Sequence, residues 1–237
     1  MKKSIIYLLT MVLFYSCCPQ DAPNTFKDSR DGKVYKTVTI GTQVWLAENL
    51  AYLPAVSAPS SGSQTDLHYY VYDYNGTDVT AAKATANYST YGVLYNWPAA
   101  MTACPEGWHL PSDAEWTLME DYLIANGHNY DGTAEGNKIA KSLSSDTGWA
   151  VSSDEGTPGN TDYSEYRNKS GFSALPAGGA RDIENIFSYV AGAISFWSST
   201  ESISTAWYRV LYFDEVYFYR NDYTAKDKGM SVRCIKS

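Results

Sequence analysis

The sequence predicts an α+β fold in which two helices are framed by terminal strands, and three observations carry that reading. "VYKTVTIGTQVWLAENL", residues 34–50, alternates apolar and polar residues on both sides of Gly41 and Thr42, the pattern of a β-hairpin. Ser112 stands three residues before Glu115 and opens a run in which Trp116, Met119 and Leu123 recur at helical spacing, a capping box followed by an amphipathic helix. The chain closes on "AWYRVLYFDEVYFYR" and "GMSVRCIK", aromatic and β-branched runs that suit strands. With 237 residues, 44% of them hydrophobic and 19% charged, the chain has enough apolar surface for a proper core. No period of about 20 to 50 residues recurs, which excludes solenoids and propellers.

The N-terminus carries Lys2 and Lys3, an apolar stretch over residues 5–15, and Ser16 before Cys17 and Cys18, the layout of an export signal that is too short to span a membrane comfortably. A small residue followed by cysteine also fits a bacterial lipoprotein signal, with Cys17 the better candidate for acylation and cleavage without a lipid the alternative. The reading is a signal over residues 1–17, a tether over residues 18–27, "CPQDAPNTFK", and one domain over residues 28–237. After the hairpin, residues 53–90 are rich in Ser, Thr, Ala and Tyr and read as an irregular excursion holding a short hairpin at "LHYYVYDYNGTDV". The Ser112 helix ends at Gly127, placed for a left-handed stop. A second helix is expected over residues 135–143, then loop over residues 144–172, and "PAGGARD" has the glycines of a turn. Alternation along residues 207–213 places Trp207, Arg209, Leu211 and Phe213 on one face and Tyr208, Val210 and Tyr212 on the other. Only one of these faces need be core.

Losing the signal removes Lys2 and Lys3 and leaves 16 basic against 26 acidic residues, a net charge of −10. Such a chain repels nucleic acid phosphates, and no nucleic acid partner is expected. With Cys17 and Cys18 in the anchor region, Cys104 and Cys234 remain as a pair that an oxidising compartment bridges.

Six blocks resemble, in order, the Fibrobacter succinogenes major paralogous domain family of exported bacterial proteins: "DGKVYKTVTIGTQVWLAENL", "YGVLYNWPAAM", "CPEGWHLPSDAEW", "GFSALPAGGARD", "FWSSTES" and "GMSVRCIKS". "GWHLPSDAEW" followed much later by "GMSVRCIK" is also similar to segments of the formylglycine-generating enzyme and sulfatase-modifying family. That resemblance implies a C-type lectin-like fold, a twisted antiparallel sheet with two helices and a long loop region, its terminal strands meeting. The sequence departs from these relatives at points that matter. Only Cys234 lies where an active formylglycine-generating enzyme needs a cysteine pair, and the Glu-Pro-Asn, Gln-Pro-Asp and Trp-Asn-Asp triplets of calcium-dependent lectins are absent.

The expected function is a non-catalytic, lipid-anchored binding module of the bacterial envelope, at the outer membrane, that recognises a glycan or a surface protein. An enzyme with altered chemistry on a sulfatase-modifying-like frame, or a structural subunit of a surface assembly, are the alternatives. Aromatic residues make up 15% of the chain, 21 of them tyrosines, and exposed rings stack on sugars or anchor partners. Candidate ligand contacts are Trp149, Tyr163, Tyr166, Arg181 and Trp197, in or beside the presumed long loop region. No cofactor is expected except calcium, for which Asp154, Glu155, Asn160 and Asp162 offer oxygen ligands within one loop. His109, between Trp108 and Leu110, reads as structural; an enzyme would need it to meet Arg181 and a carboxylate in one pocket.

Overall fold

A computed structural model describes residues 24–183 and 186–237. The signal over residues 1–17 with Cys17, and most of the tether, lie outside the described residues. The tether is shorter than expected, because its last three residues form strand β1 (Thr25–Lys27), paired with β2 (Val34–Ile40). β2 turns at Gly41, φ 62°, and Thr42 into β3 (Gln43–Leu46), with Ile40 opposite Gln43. The left-handed φ is the reason the turn holds a glycine.

Two five-stranded sheets and one strand pair make up the β structure. The first sheet runs β1-β2-β3-β12-β6, with β6 (Trp108–His109) and β12 (Ile235–Lys236) both short. Ile235 pairs with Trp45 on one side and His109 on the other, so the last strand lies inside the sheet begun by the first strands. The second sheet runs β11-β10-β9-β7-β8, formed by β7 (Ala177–Ile183), β8 (Ile186–Val190), β9 (Ala193–Ser202), β10 (Thr205–Tyr212) and β11 (Tyr219–Ala225). Its central register shifts between Ala206 and Tyr208 on β10, toward both neighbours, and such bulges bend and twist a sheet. The remaining pair is β4 (Tyr69–Tyr70) with β5 (Leu94–Tyr95).

The segment "GMSVRCIK" is less a strand than a strap between the sheets. Gly229, Met230 and Ser231 bridge Ala180, Tyr95 and Phe196. Val232 and Cys234 then offer carbonyls to the Leu50 and Leu46 amides before β12 begins.

Among the described residues five α-helices connect the strands, α1 (Val79–Lys83), α2 (Ala86–Tyr91), α3 (Trp97–Ala103), α4 (Asp113–Ala125) and α5 (Ala140–Leu143), with one 3-10 turn at Ser164–Tyr166. The Ser112 helix is the expected one, with its capping box closed by Glu115 and Gly127 at φ 73° beyond its end. Trp116, Met119 and Leu123 are buried, and the Trp116 ring stands 4.7 Å from Trp45, 5.6 Å from Phe196 and 5.8 Å from Phe218. One helix face therefore packs against residues of both sheets, and each such ring buries roughly 150–250 Å². The helix expected over residues 135–143 shrinks to α5. The hairpin expected within residues 67–79 is replaced by β4, which pairs with the distant β5.

The alternation on β10 holds over residues 208–212, but Trp207 falls at the bulge, Phe213 lies past the strand's end, and both faces are buried, Tyr208 and Val210 as well as Arg209 and Leu211. Arg209 and Leu211 are fully buried, and Arg209 reaches α4, donating from Nε to Glu120 and from Nη1 to Asp113, both at 2.6 Å. Arg220 donates to the same Asp113 carboxylate and stacks over Trp207 at 3.9 Å. Those two cations hold the Asp113 carboxyl below its ordinary range against the opposing effect of burial.

Cys104, at the end of α3, is bridged to Cys234 with their Cα atoms 5.8 Å apart, as the cysteine count predicts. Among the described residues no helix is long and apolar enough to cross a membrane.

Candidate functional site: a tyrosine-lined cleft on the second sheet

The face of β10 turned away from α4 carries Tyr208, Val210 and Tyr212, and these three line a cleft of about 200 Å³. Tyr223 of β11 and Tyr189 of β8 add two more rings, 72% and 52% exposed, whereas Tyr208 is 7% exposed. Tyr208 and Tyr223 meet edge to face at 5.8 Å, an arrangement that suits the ring quadrupoles. Burial, together with the hydrogen bond to Tyr223, raises the Tyr208 phenol above its ordinary pKa, so it stays a neutral donor and acceptor in the cleft. Ser195 and Thr224 bring hydroxyls, and no Asp or Glu lines the cleft among the described residues.

Gly178, Gly179 and Gly229 also line the cleft. A Cβ on Gly178, φ 65°, would fall 2.2 Å from the Ser188 carbonyl oxygen, and one on Gly229 would fall 2.7 Å from the Ala180 side chain. "PAGGARD" is accordingly strand β7, its glycines serving close backbone approach rather than the turn expected from sequence. Arg181, Tyr189 and Ala191 also hold left-handed conformations, with φ between 60° and 63°. For non-glycine residues such conformations store strain, which gathers at functional sites. Lys228, also at the cleft, donates to the Arg181 carbonyl.

None of the five contacts expected from sequence lines this cleft. Trp197 is fully buried and donates from Nε1 to the Tyr95 carbonyl at 2.8 Å, so it is framework. Arg181 is 9% exposed, held by Asp227 at 2.9 Å and by the Pro59 carbonyl at 2.8 Å. Trp149 packs against the core, with its Nε1 buried. Tyr163 donates to Glu155 and meets Tyr130 edge to face, while Tyr166 lies under the Lys169 ammonium at 4.4 Å. What carries Tyr208 and Tyr212 to the cleft is the face alternation of β10, a signal present in the sequence. Tyr189 and Tyr223 come from strands with no such signal.

In the loop expected to hold calcium, Lys141 bonds to two of the four expected residues. The buried Lys141 ammonium donates to the Asn160 carbonyl at 3.0 Å, to the Asp162 carbonyl and to the Asp162 carboxylate. Asp162 also accepts from the Gly156 amide, and Glu155 is taken by Tyr163. No group of three or more His, Cys, Asp or Glu side chains is placed to hold a metal among the described residues. The oxygens of Asp162 and Asn160 are drawn together, but around an ammonium. Burial lowers the Lys141 pKa, with Asp162 opposing it. Lys141→Met is expected to cost about 2–3 kcal/mol, the loss of a buried ion pair discounted for the part-exposed Asp162, and to speed hydrogen exchange at the Gly156 and Asp162 amides. Calcium is expected to leave the unfolding midpoint of the unaltered protein where it is; a calcium-dependent rise would overturn this reading.

His109 and Arg181 share no hydrogen-bond partner. His109 Nε2 lies 2.9 Å from Glu115 and Nδ1 lies 3.0 Å from the Ser237 hydroxyl, at the surface of the first sheet. The Glu115 carboxyl is held below its ordinary range, against burial, by the Ser112 amide and by His109.

The family model of the Fibrobacter succinogenes major domain matches residues 38–236, a span that contains every strand of the cleft. No curated protein and no solved structure matches.

Proposed function

The chain belongs to the Fibrobacter succinogenes major domain family, and on that footing we propose that it is a non-catalytic binding module of the bacterial cell envelope, its tyrosine-lined cleft receiving a neutral saccharide unit. The single observation that carries the reading is the cleft itself, lined by four tyrosines, three glycines and hydroxyls, with no carboxylate among the described residues. Rings with polar edges stack on the apolar face of a sugar and hydrogen-bond its rim. A volume of about 200 Å³ is below the roughly 300–1,000 Å³ of sites for drug-sized ligands, which favours one sugar unit over a longer segment. With Lys141 in the acidic loop, recognition is independent of calcium.

The frame is C-type lectin-like in this proposal. Support comes from terminal strands that meet in one sheet, a disulfide that ties α3 to the last strand, and a long irregular stretch between α5 and β7. Cys17 acylation would tether the domain to the outer membrane through β1, an edge strand of the first sheet, while the cleft belongs to the second.

The test is a glycan and polysaccharide array, run with calcium and with chelator, on the unaltered protein and on Tyr189→Ala and Tyr223→Ala. Both residues are exposed, so neither change threatens the core. Expected are hits that survive chelation and weaken about tenfold in each variant, the magnitude of one lost stacking contact, while Trp149→Ala keeps them. No hits, or hits indifferent to both tyrosines, would sink the reading.

A further inference from the structure

Lysine is almost never fully buried unless it is paired, and Lys141 of α5 is fully buried, with Asp162 of the long loop as its partner. Its nitrogen donates to the Asn160 carbonyl at 3.0 Å, to the Asp162 carbonyl, and to Asp162 Oδ1 at 2.5 Å. Those three bonds use every proton that an ammonium carries.

Asp162 is fixed from two further sides. Its amide donates to Asn160 Oδ1 at 3.1 Å, and its second carboxylate oxygen, Oδ2, accepts from the Gly156 amide at 2.9 Å. Gly156 holds φ 74°, and a Cβ there would fall 2.4 Å from the Tyr130 ring, so this donor stands where only glycine fits. The Asp162 side chain is 28% exposed, which leaves a water a path out of the site.

An amine and a carboxyl group are thus held in contact, with a backbone N–H on the far oxygen. We infer that Lys141 and Asp162 join covalently, the lysine nitrogen and the aspartate carboxyl carbon forming an amide cross-link with loss of one water. Burial disfavours the pair of charges, and Arg167, whose guanidinium bonds to the same Asn160 carbonyl at 2.8 Å, adds a like charge beside Lys141. One proton therefore passes from Nζ to Oδ1. The amine keeps its two remaining N–H bonds to the carbonyls, and its freed lone pair faces the carboxyl group. That pair attacks Cγ; the N–C bond forms and the π electrons move to Oδ2, where the Gly156 amide meets the charge. Nζ then yields a second proton, the Cγ–Oδ1 bond breaks, and Oδ1 leaves as water. Of the three ammonium protons two depart with the water and one stays on the amide, so no outside reagent is needed. Fixed proximity supplies what a free amine and acid lack. The link fastens to α5 a long loop whose helical content among the described residues is the single 3-10 turn, and unlike the disulfide at Cys104 it survives reduction.

The test is mass spectrometry of the full chain, folded, stored near neutral pH, then reduced and digested with trypsin. An acylated lysine resists trypsin, so residues 139–167 are expected as one peptide, lighter by one water, with fragment ions that join Lys141 to Asp162. The same chain kept in urea throughout should give residues 139–141 and 142–167 separately at full mass. So should folded Lys141→Arg, which keeps a cation opposite Asp162 but cannot form the amide. Separate full-mass peptides from the folded, stored protein would overturn the inference. Loss of water with cleavage after Lys141 intact would overturn it too, since the dehydration would then involve no lysine. Neither residue lines the saccharide cleft, so the outcome is independent of that reading.

Discussion

Arg233→Met is expected to lower the free energy of unfolding by about 4 kcal/mol or more, a large fraction of the roughly 5–15 kcal/mol that holds a domain together. Arg233 is fully buried, and burial pushes its pKa down to about 9. Among the described residues no carboxylate bonds to it. Nε instead donates to Asn49 Oδ1, Nη1 to the Leu46 and Phe172 carbonyls at 3.1 and 2.6 Å, and Nη2 to the Ser173 carbonyl at 2.8 Å. Its guanidinium lies over Phe172 at 4.5 Å and Phe196 at 5.6 Å. One side chain thus joins the end of β3, the long loop and β9. Two effects oppose each other in the substitution. Methionine relieves the desolvation of a charge, but it takes the donor from three buried oxygens, each at about 1–3 kcal/mol, and from the part-buried Ser173 carbonyl, and the second effect prevails. Arg233→Lys should recover less than half of the loss, because one ammonium cannot span acceptors set for a planar fork. Guanidinium unfolding of the three proteins, followed by circular dichroism, decides the matter. A methionine variant within about 1 kcal/mol of the unaltered protein would show that the carbonyls find other donors.

That arginine also marks how far the sequence could be read. "GMSVRCIK" carries a strand's composition, and only Ile235 and Lys236 form one, because a strap passing between two sheets pairs with each at single residues rather than along a ladder. The hairpin at Gly41, the capped helix at Ser112 and the disulfide were all legible, since each depends on local chemistry or on a count. α1, α2 and α3 were not. They are five to seven residues long, too short for an amphipathic period to declare itself, and they rest on side-chain caps from Asp78, Thr85 and Asn96.

The candidate site was legible by half. The β10 alternation separated Tyr208 and Tyr212 from Arg209 and Leu211, and the structure places the first pair at the cleft and the second under α4. Position in a presumed loop region chose Trp197 and Arg181 as contacts, and loop composition says nothing of the burial that both show. Trp197 sits in a strand whose inward face is core, and Arg181 is drawn inward by Asp227. Carboxylates close in sequence suggested calcium, and the Lys141 that bonds to Asp162 stands 21 positions away, where no local pattern points to it.

The second large effect is expected at the disulfide. Cys104 and Cys234 are separated by 130 residues, so the bond closes a loop that contains α4, α5, the long loop and the whole second sheet. In the chain-entropy account such a closure disfavours the unfolded state by about 4–5 kcal/mol. The native state gives the bond a second task. β12 pairs through Ile235 and Lys236 alone, yet it lies inside the first sheet between β3 and β6. A strand of two residues cannot hold that place by its ladder, and Arg233 on one side of Cys234 with the cross-link at Cys234 itself keeps it there. The Cys104→Ala, Cys234→Ala variant should therefore lose about 4 kcal/mol, and hydrogen exchange should speed first at the Leu46 and Leu50 amides, which donate to the Cys234 and Val232 carbonyls. If the loss reaches that size with those amides still protected, the bond acts on the unfolded chain alone. A loss below about 1 kcal/mol would mean that the strap is held by Arg233 and packing, and would refute the role given to the disulfide.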